Sequence, residues 1–182
     1  MKHKWIGFGL SVILLSLSGC GIFSAPGEFQ GSIPPGEAYN SVQDFSEAAD
    51  LVVRGKAGTS DITKIEGMAF TLTTFKVIES LKGKSAESIT IRQVGSKRDN
   101  IDFLAPVLDW GKEYILFLDE FEFERGNPIP GEYVVLGFGA LERHGNHFVT
   151  AANAKNYDIS INLTIDEARA SLAPSIASIP VD

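Results

Sequence analysis

Between Leu51 and Leu163 the apolar side chains fall mostly on alternate positions, a period of two that lines one face of an extended strand and scatters around a helix. That pattern restricts most of the chain to sheet. Residues 51–57, 69–78 and 88–94 are rich in β-branched side chains and bounded by Gly, Lys and Ser. Within 69–78 the apolar phase passes from Phe70 and Leu72 to Phe75 and Val77, a slip that requires an inserted residue, so a β-bulge is expected at Thr73 and Thr74. Residues 113–118 are apolar at both parities, as a strand covered on two faces must be. The run continues as Asp119-Glu-Phe-Glu-Phe-Glu, with Phe121 and Phe123 on one side and Glu120, Glu122 and Glu124 on the other. Asp119 shares the parity of Ile115, Phe117 and Phe121; either a bulge releases it or it is partly buried with a raised pKa, and the bulge is the preferred reading.

Gly126-Asn-Pro-Ile-Pro-Gly reads as a turn before a strand over 132–136, and His144-Gly-Asn as a turn into Phe148-Val-Thr. Tyr157, Ile159, Ile161 and Leu163 alternate once more. Two helices flank the strands. Ser41 caps a short one carrying Val42, Phe45 and Ala49 at helical spacing, and Thr164-Ile-Asp-Glu is a capping box opening another that runs through Leu172. The expected fold is mainly β: a small closed or nearly closed antiparallel barrel of six to seven strands with one or two peripheral helices.

The first 40 residues follow different rules. Met1-Lys-His-Lys is basic, and the next 13 residues, 5–17, are uncharged and apolar. A membrane-spanning helix needs about 20 such residues, whereas roughly 7 to 15 suit the core of a secretory signal. An uncleaved anchor is the alternative, weakened by Gly7, Gly9, Gly19, Gly21 and Pro26. The segment ends in Leu17-Ser18-Gly19-Cys20, which resembles the lipobox of bacterial lipoproteins. The resemblance implies cleavage before Cys20, a diacylglycerol thioether on its sulfur and acylation of its freed amine; two or more acyl chains hold a protein stably on a bilayer. The organisation expected is a signal peptide over 1–19, a lipidated Cys20 with a Gly-, Pro- and Ser-rich tether over 20–40, and one domain over 41–182.

Composition narrows the chemistry. At 182 residues with 44% hydrophobic and 21% charged side chains, the chain can build a single core and lies outside the disordered classes. Its 16 basic against 23 acidic residues give a formal charge of -7, which argues against nucleic acid as a partner. The single cysteine excludes a disulfide framework, a cysteine-based zinc site and a Cys-x-x-Cys redox pair. Gly83-Lys-Ser lacks the preceding glycine of a phosphate loop because Ile78 stands there, and Gly137-Phe-Gly139 lacks the third glycine of a dinucleotide fingerprint; both Gly137 and Gly139 are expected to permit strand bending. His144 and His147 are read as turn residues rather than metal ligands, and no cofactor is expected.

Ala-Asp-Leu-Val-Val at 49–53, Thr-Thr-Phe-Lys-Val-Ile-Glu-Ser-Leu-Lys-Gly at 73–83, Ile-Thr-Ile-Arg-Gln at 89–93 and Gly-Lys-Glu-Tyr-Ile-Leu-Phe-Leu at 111–118 resemble a group of bacterial surface lipoproteins. Their domain is similar to the OB-like barrel of the tissue inhibitors of metalloproteinases. The resemblance spans about residues 41–153 and implies fold rather than chemistry. The inhibitors chelate a target's zinc through a free N-terminal cysteine amine on a disulfide-fixed edge, a device that a lipidated, unpaired Cys20 does not reproduce. Lys76, Arg92, Lys97 and Arg98 gather positive charge around the second and third strands, and Thr71, Lys76, Arg92 and Gln93 form the candidate ligand patch on that face. The function expected is a membrane-anchored, extracytoplasmic, non-catalytic module that binds an envelope protein, peptide or glycan. The alternative is an envelope hydrolase using the carboxylates of the Asp119 to Glu124 strand, where Glu120, Glu122 and Glu124 lie about 6.6 to 6.8 Å apart along one face.

Overall fold

The computed structural model describes residues 39, 41–65, 67–97, 101–102, 106–124, 127–151 and 160–172. The segments expected to be a signal peptide (1–19) and a tether (20–40), Cys20 included, lie outside these residues except for Tyr39, as do Arg98, Tyr157 and Ile159. The elements in chain order are α1 (Val42–Ala48), β1 (Leu51–Ile65), β2 (Met68–Lys82), β3 (Ser88–Ser96), β4 (Ile101–Asp102), β5 (Glu113–Glu124), β6 (Asn127–His144), β7 (His147–Thr150), β8 (Asn162–Thr164) and α2 (Ile165–Leu172).

Eight strands form one sheet in the order β4-β3-β2-β1-β5-β6-β7-β8, and a further pairing of β3 with β6 closes β1, β2, β3, β6 and β5 into a barrel. Closure removes the edges that an open sheet would expose. Strand directions cannot alternate all the way round a ring of five, so at least one neighbouring pair must run parallel. The β3–β6 pair is that seam, with Thr90 opposite Glu132 and Ile91 opposite Tyr133. The other pairings are antiparallel, so the whole is the small OB-like barrel expected, mixed rather than wholly antiparallel because of this one seam, and extended by short strands at its margins.

Two cores share β5. Its even positions Tyr114, Leu116 and Leu118 meet Leu51, Val53, Phe75, Ile89 and Ile91 inside the barrel. Its odd positions Ile115 and Phe117 pack outside, with Phe45 of α1, Leu136, Leu141, Phe148 and Leu163, and with Ala168 and Leu172 of α2. Both helix starts are capped as the sequence predicts. Ser41 Oγ accepts from the Asp44 N–H at 3.1 Å. The Thr164 N–H donates to Glu167 Oε2 at 2.7 Å while Thr164 Oγ1 accepts from the Glu167 N–H at 3.3 Å.

Two expectations about strand irregularity require correction. β2 does not slip at Thr73 and Thr74, since β3 pairs with it in unbroken register from Phe70 to Lys76. Thr71, Thr73 and Phe75 are buried at one parity, while Phe70 is covered at the other; threonines at inward positions mimicked a change of phase. The extra residue is in β1, where Ala57 pairs with Phe75 but Ser60 with Thr73, and β2 carries unmatched residues only further on, at Ile78 and Leu81. Likewise 127–131 belongs to β6 rather than to a turn. Glu120 pairs with Tyr133 and Glu122 with Pro128, so residues 129–132 bulge away from the ladder, and Pro130 sits where its missing N–H costs no ladder bond. The His144-Gly-Asn-His147 turn holds, with Gly145 at φ 65° and the two histidines paired across it.

Candidate functional site

The four residues of the predicted ligand patch do not share one surface. Thr71 faces Gln93 across the β2–β3 pair, Leu72 faces Arg92, and Lys76 faces Ser88. Alternation therefore turns Thr71 and Gln93 toward the interior, and Arg92 and Lys76 away from it. Thr71 Oγ1 donates to the Gly95 carbonyl at 2.8 Å. Gln93 Nε2 donates to the Pro106 carbonyl at 2.8 Å, and its Oε1 accepts from the Leu108 N–H at 3.1 Å. These bonds latch the segment around Leu108 over one end of the barrel, so both side chains are occupied by the fold.

Arg92 is only 6% exposed. Its Nε and Nη2 both donate to Glu132 Oε2, at 2.8 and 2.6 Å, and its guanidinium lies 4.5 Å from the Phe121 ring centroid and 5.6 Å from that of Phe70. Among the described residues Nη1 is buried with no hydrogen-bond partner. The stacked, charge-paired guanidinium straddles the parallel seam, because Glu132 is the β6 partner of Thr90. Lys76 alone is exposed.

The carboxylate strand is arranged differently from the expectation. Leu118, Asp119 and Glu120 pair without interruption with Val135, Val134 and Tyr133, so no bulge in β5 releases Asp119. The irregularity is in β6 instead: Leu116 pairs with Ala140 and Leu118 with Val135, leaving residues 136–139 opposite Phe117 alone. Gly137 at φ 45° turns this bulge, and a Cβ on Gly139 would lie 2.8 Å from the Leu136 carbonyl oxygen and 2.9 Å from Phe117 Cβ. Asp119 is accordingly part-buried. Burial, a hydrogen bond with the Asp50 carboxyl and that neighbour's charge push it up to about 6, against a partly compensating bond from the Asp50 N–H. Glu120 and Glu122 are exposed, and the Glu124 side chain lies outside the described residues. At the junction of α1 and β1, Lys82 Nζ donates to the Ser46 and Ala49 carbonyls at 2.6 Å each.

Two charge networks escaped the sequence reading. Glu113, buried at the start of β5, accepts from Arg54 Nε at 2.6 Å and Arg143 Nη1 at 2.8 Å. Burial alone would raise its carboxyl, but the hydrogen bonds from Arg143 and then Arg54 outweigh it and hold the group below the usual carboxylate range. Arg54 also reaches Glu79, which Arg169 of α2 grips at 2.8 and 3.0 Å. Helix α2 is thereby tied to the barrel wall. The second network surrounds a turn: Asp109 pairs with Lys97 and, at 2.9 Å, with Lys112, which also reaches Glu142 at 2.8 Å. That turn carries Trp110, 78% exposed. The signal available in the sequence was an aromatic set between Asp109 and Gly111 just before a strand, a position where hydrophobic burial is not expected.

The chain matches no protein-family model and no curated protein. Functional inference therefore rests on the residues themselves.

Proposed function

We propose that this protein is an extracytoplasmic lipoprotein, held to the cell membrane through Cys20, whose OB-like barrel is a non-catalytic module for an envelope protein, peptide or glycan. One observation carries the reading: the only cysteine of the chain closes Leu17-Ser18-Gly19-Cys20 directly after a 13-residue apolar run. The Gly- and Pro-rich stretch between Cys20 and the Ser41 cap of α1 supports it, since such a stretch spaces a folded body from its anchor. The test is Cys20→Ser in a bacterial host. The variant is expected to remain an unprocessed precursor, with loss of the lipid mass from the intact protein. Normal processing and wild-type retention in membranes would overturn the reading.

A second reading, an envelope hydrolase, is favoured by the Asp50–Asp119 carboxyl pair, because a carboxyl still protonated near pH 6 beside an ionisable partner is suited to general acid catalysis. It predicts that Asp119→Asn abolishes turnover of an envelope glycan while leaving the fold intact. Unchanged turnover in that variant would remove Asp119 from any such chemistry.

A further inference from the structure

Three features at one end of the barrel are not explained by folding. The first is Trp110, the most exposed of the large apolar side chains among the described residues. Its exposure does not come from a loose loop. The Gly111 N–H donates to the Ala57 carbonyl at 2.7 Å, the Ala57 N–H to the Lys112 carbonyl at 3.0 Å, and the Asp109 N–H to Tyr114 Oη at 3.0 Å. Leu108, two residues before, is buried in the inner core. Gly111 at φ 77° turns the chain back, so the indole stands outward on a braced turn.

The second feature is a pair of lysines. Lys56 and Lys76 lie directly opposite each other across β1 and β2, and both are exposed. Like charges in that position destabilise a sheet. Among the described residues neither has an ion-pair partner, and Lys56 is next to Ala57, which brackets the Trp110 turn through both of its backbone bonds. The third feature is the local charge balance. Asp109 and Glu142 are neutralised by Lys97 and Lys112, which leaves Lys56 and Lys76 as a positive surplus in a chain of net charge -7.

We infer that the Trp110 turn, with Lys56 and Lys76, is a contact site for an anionic bilayer surface. An indole has an apolar body and one N–H, and tryptophan concentrates at the boundary between headgroups and acyl chains. Ammonium groups beside it meet lipid phosphates, each contributing about 1 kcal/mol near an anionic surface. An exposed, braced indole suits insertion into a soft interface better than capture of a sugar or peptide, which calls for a concave wall. The acidic remainder of the protein is repelled by the same surface, so the field orients the barrel with this end down. The inference deepens the lipoprotein reading and rests on it for bringing the turn to a membrane; the contact itself is separable.

The chain contains two tryptophans, Trp5 and Trp110, so Trp110 becomes the sole fluorophore of its kind in full-length Trp5→Phe. With phosphatidylglycerol-containing vesicles whose acyl chains are brominated, its emission is expected to shift to the blue and to lose roughly half its intensity, as an interfacial indole should. Substituting Lys56→Gln and Lys76→Gln together, two surface charges, is expected to weaken this quenched state by about 30-fold, as is replacing phosphatidylglycerol by a zwitterionic lipid. Emission that stays water-like and unquenched, whether or not the chain sediments with the vesicles, overturns the inference. So does a response to envelope glycan or protein in place of lipid. A Cys20→Ser chain that is processed normally and stays in cell membranes as firmly as wild type, with the Trp110 quenching retained, would sink only the tether.

Discussion

Phe117→Ala is expected to cost about 3–5 kcal/mol of folding stability, the range for truncating a buried phenylalanine. The ring is fully buried at the centre of the outer core. It meets Phe45 of α1 at a centroid separation of 5.3 Å and an interplanar angle of 38°, and Phe45 in turn meets Tyr39 at 5.1 Å. The cavity cannot close cheaply, because the β6 bulge already sets Gly139 against Phe117 and its path is fixed by the ladder on either side. Urea unfolding should show a lower midpoint with unchanged slope. A loss under about 1 kcal/mol would mean that α1 and the outer core do not unfold together with the barrel.

Asp119→Asn is expected to stabilise the protein at neutral pH. Its carboxyl has an ordinary value of 3.8 and stands near 6 in the fold, so between these values the folded state binds more protons than the unfolded one. Stability then falls as pH rises from about 4 to 6 and stays lower above that window. Two pH units correspond to about 3 kcal/mol, and solvent screening at a part-buried site reduces this to roughly 1–2 kcal/mol. Asparagine removes the ionisation while its amide can still donate to Asp50. Glu113, Glu79 and Asp109 act with the opposite sign: each is held below its ordinary value, and their contribution is present above about pH 4.5 and lost as pH falls. Wild type should therefore show a stability maximum in mildly acid solution, and Asp119→Asn a plateau extending to neutrality. Parallel profiles for the two proteins between pH 4 and 7 would refute the assignment.

The class of fold was legible because alternation is a local signal, and the residues of β5 announce a doubly covered strand by being apolar at both parities. Register was not legible. Whether Thr73 marks a slip or merely a polar inward position depends on its partner strand, and β1 absorbed the extra residue that β2 was expected to carry. The odd number of barrel strands, and hence the parallel seam, depends on which strands close, which no single strand encodes. The choice between release and burial of Asp119 was not legible for the same reason: the compensating bulge is in β6, about 20 residues away in sequence. Residue type alone defines the candidate ligand patch, and type cannot tell Gln93 holding two backbone groups from Gln93 facing water.

The parallel seam has a mechanical corollary. A hoop whose ends are joined over two residue pairs opens there before it parts elsewhere, and the clasp across that joint is a guanidinium held between two aromatic rings with one carboxylate beneath it. Arg92 is thus less a hand held out to a visitor than the rivet that keeps the cylinder round.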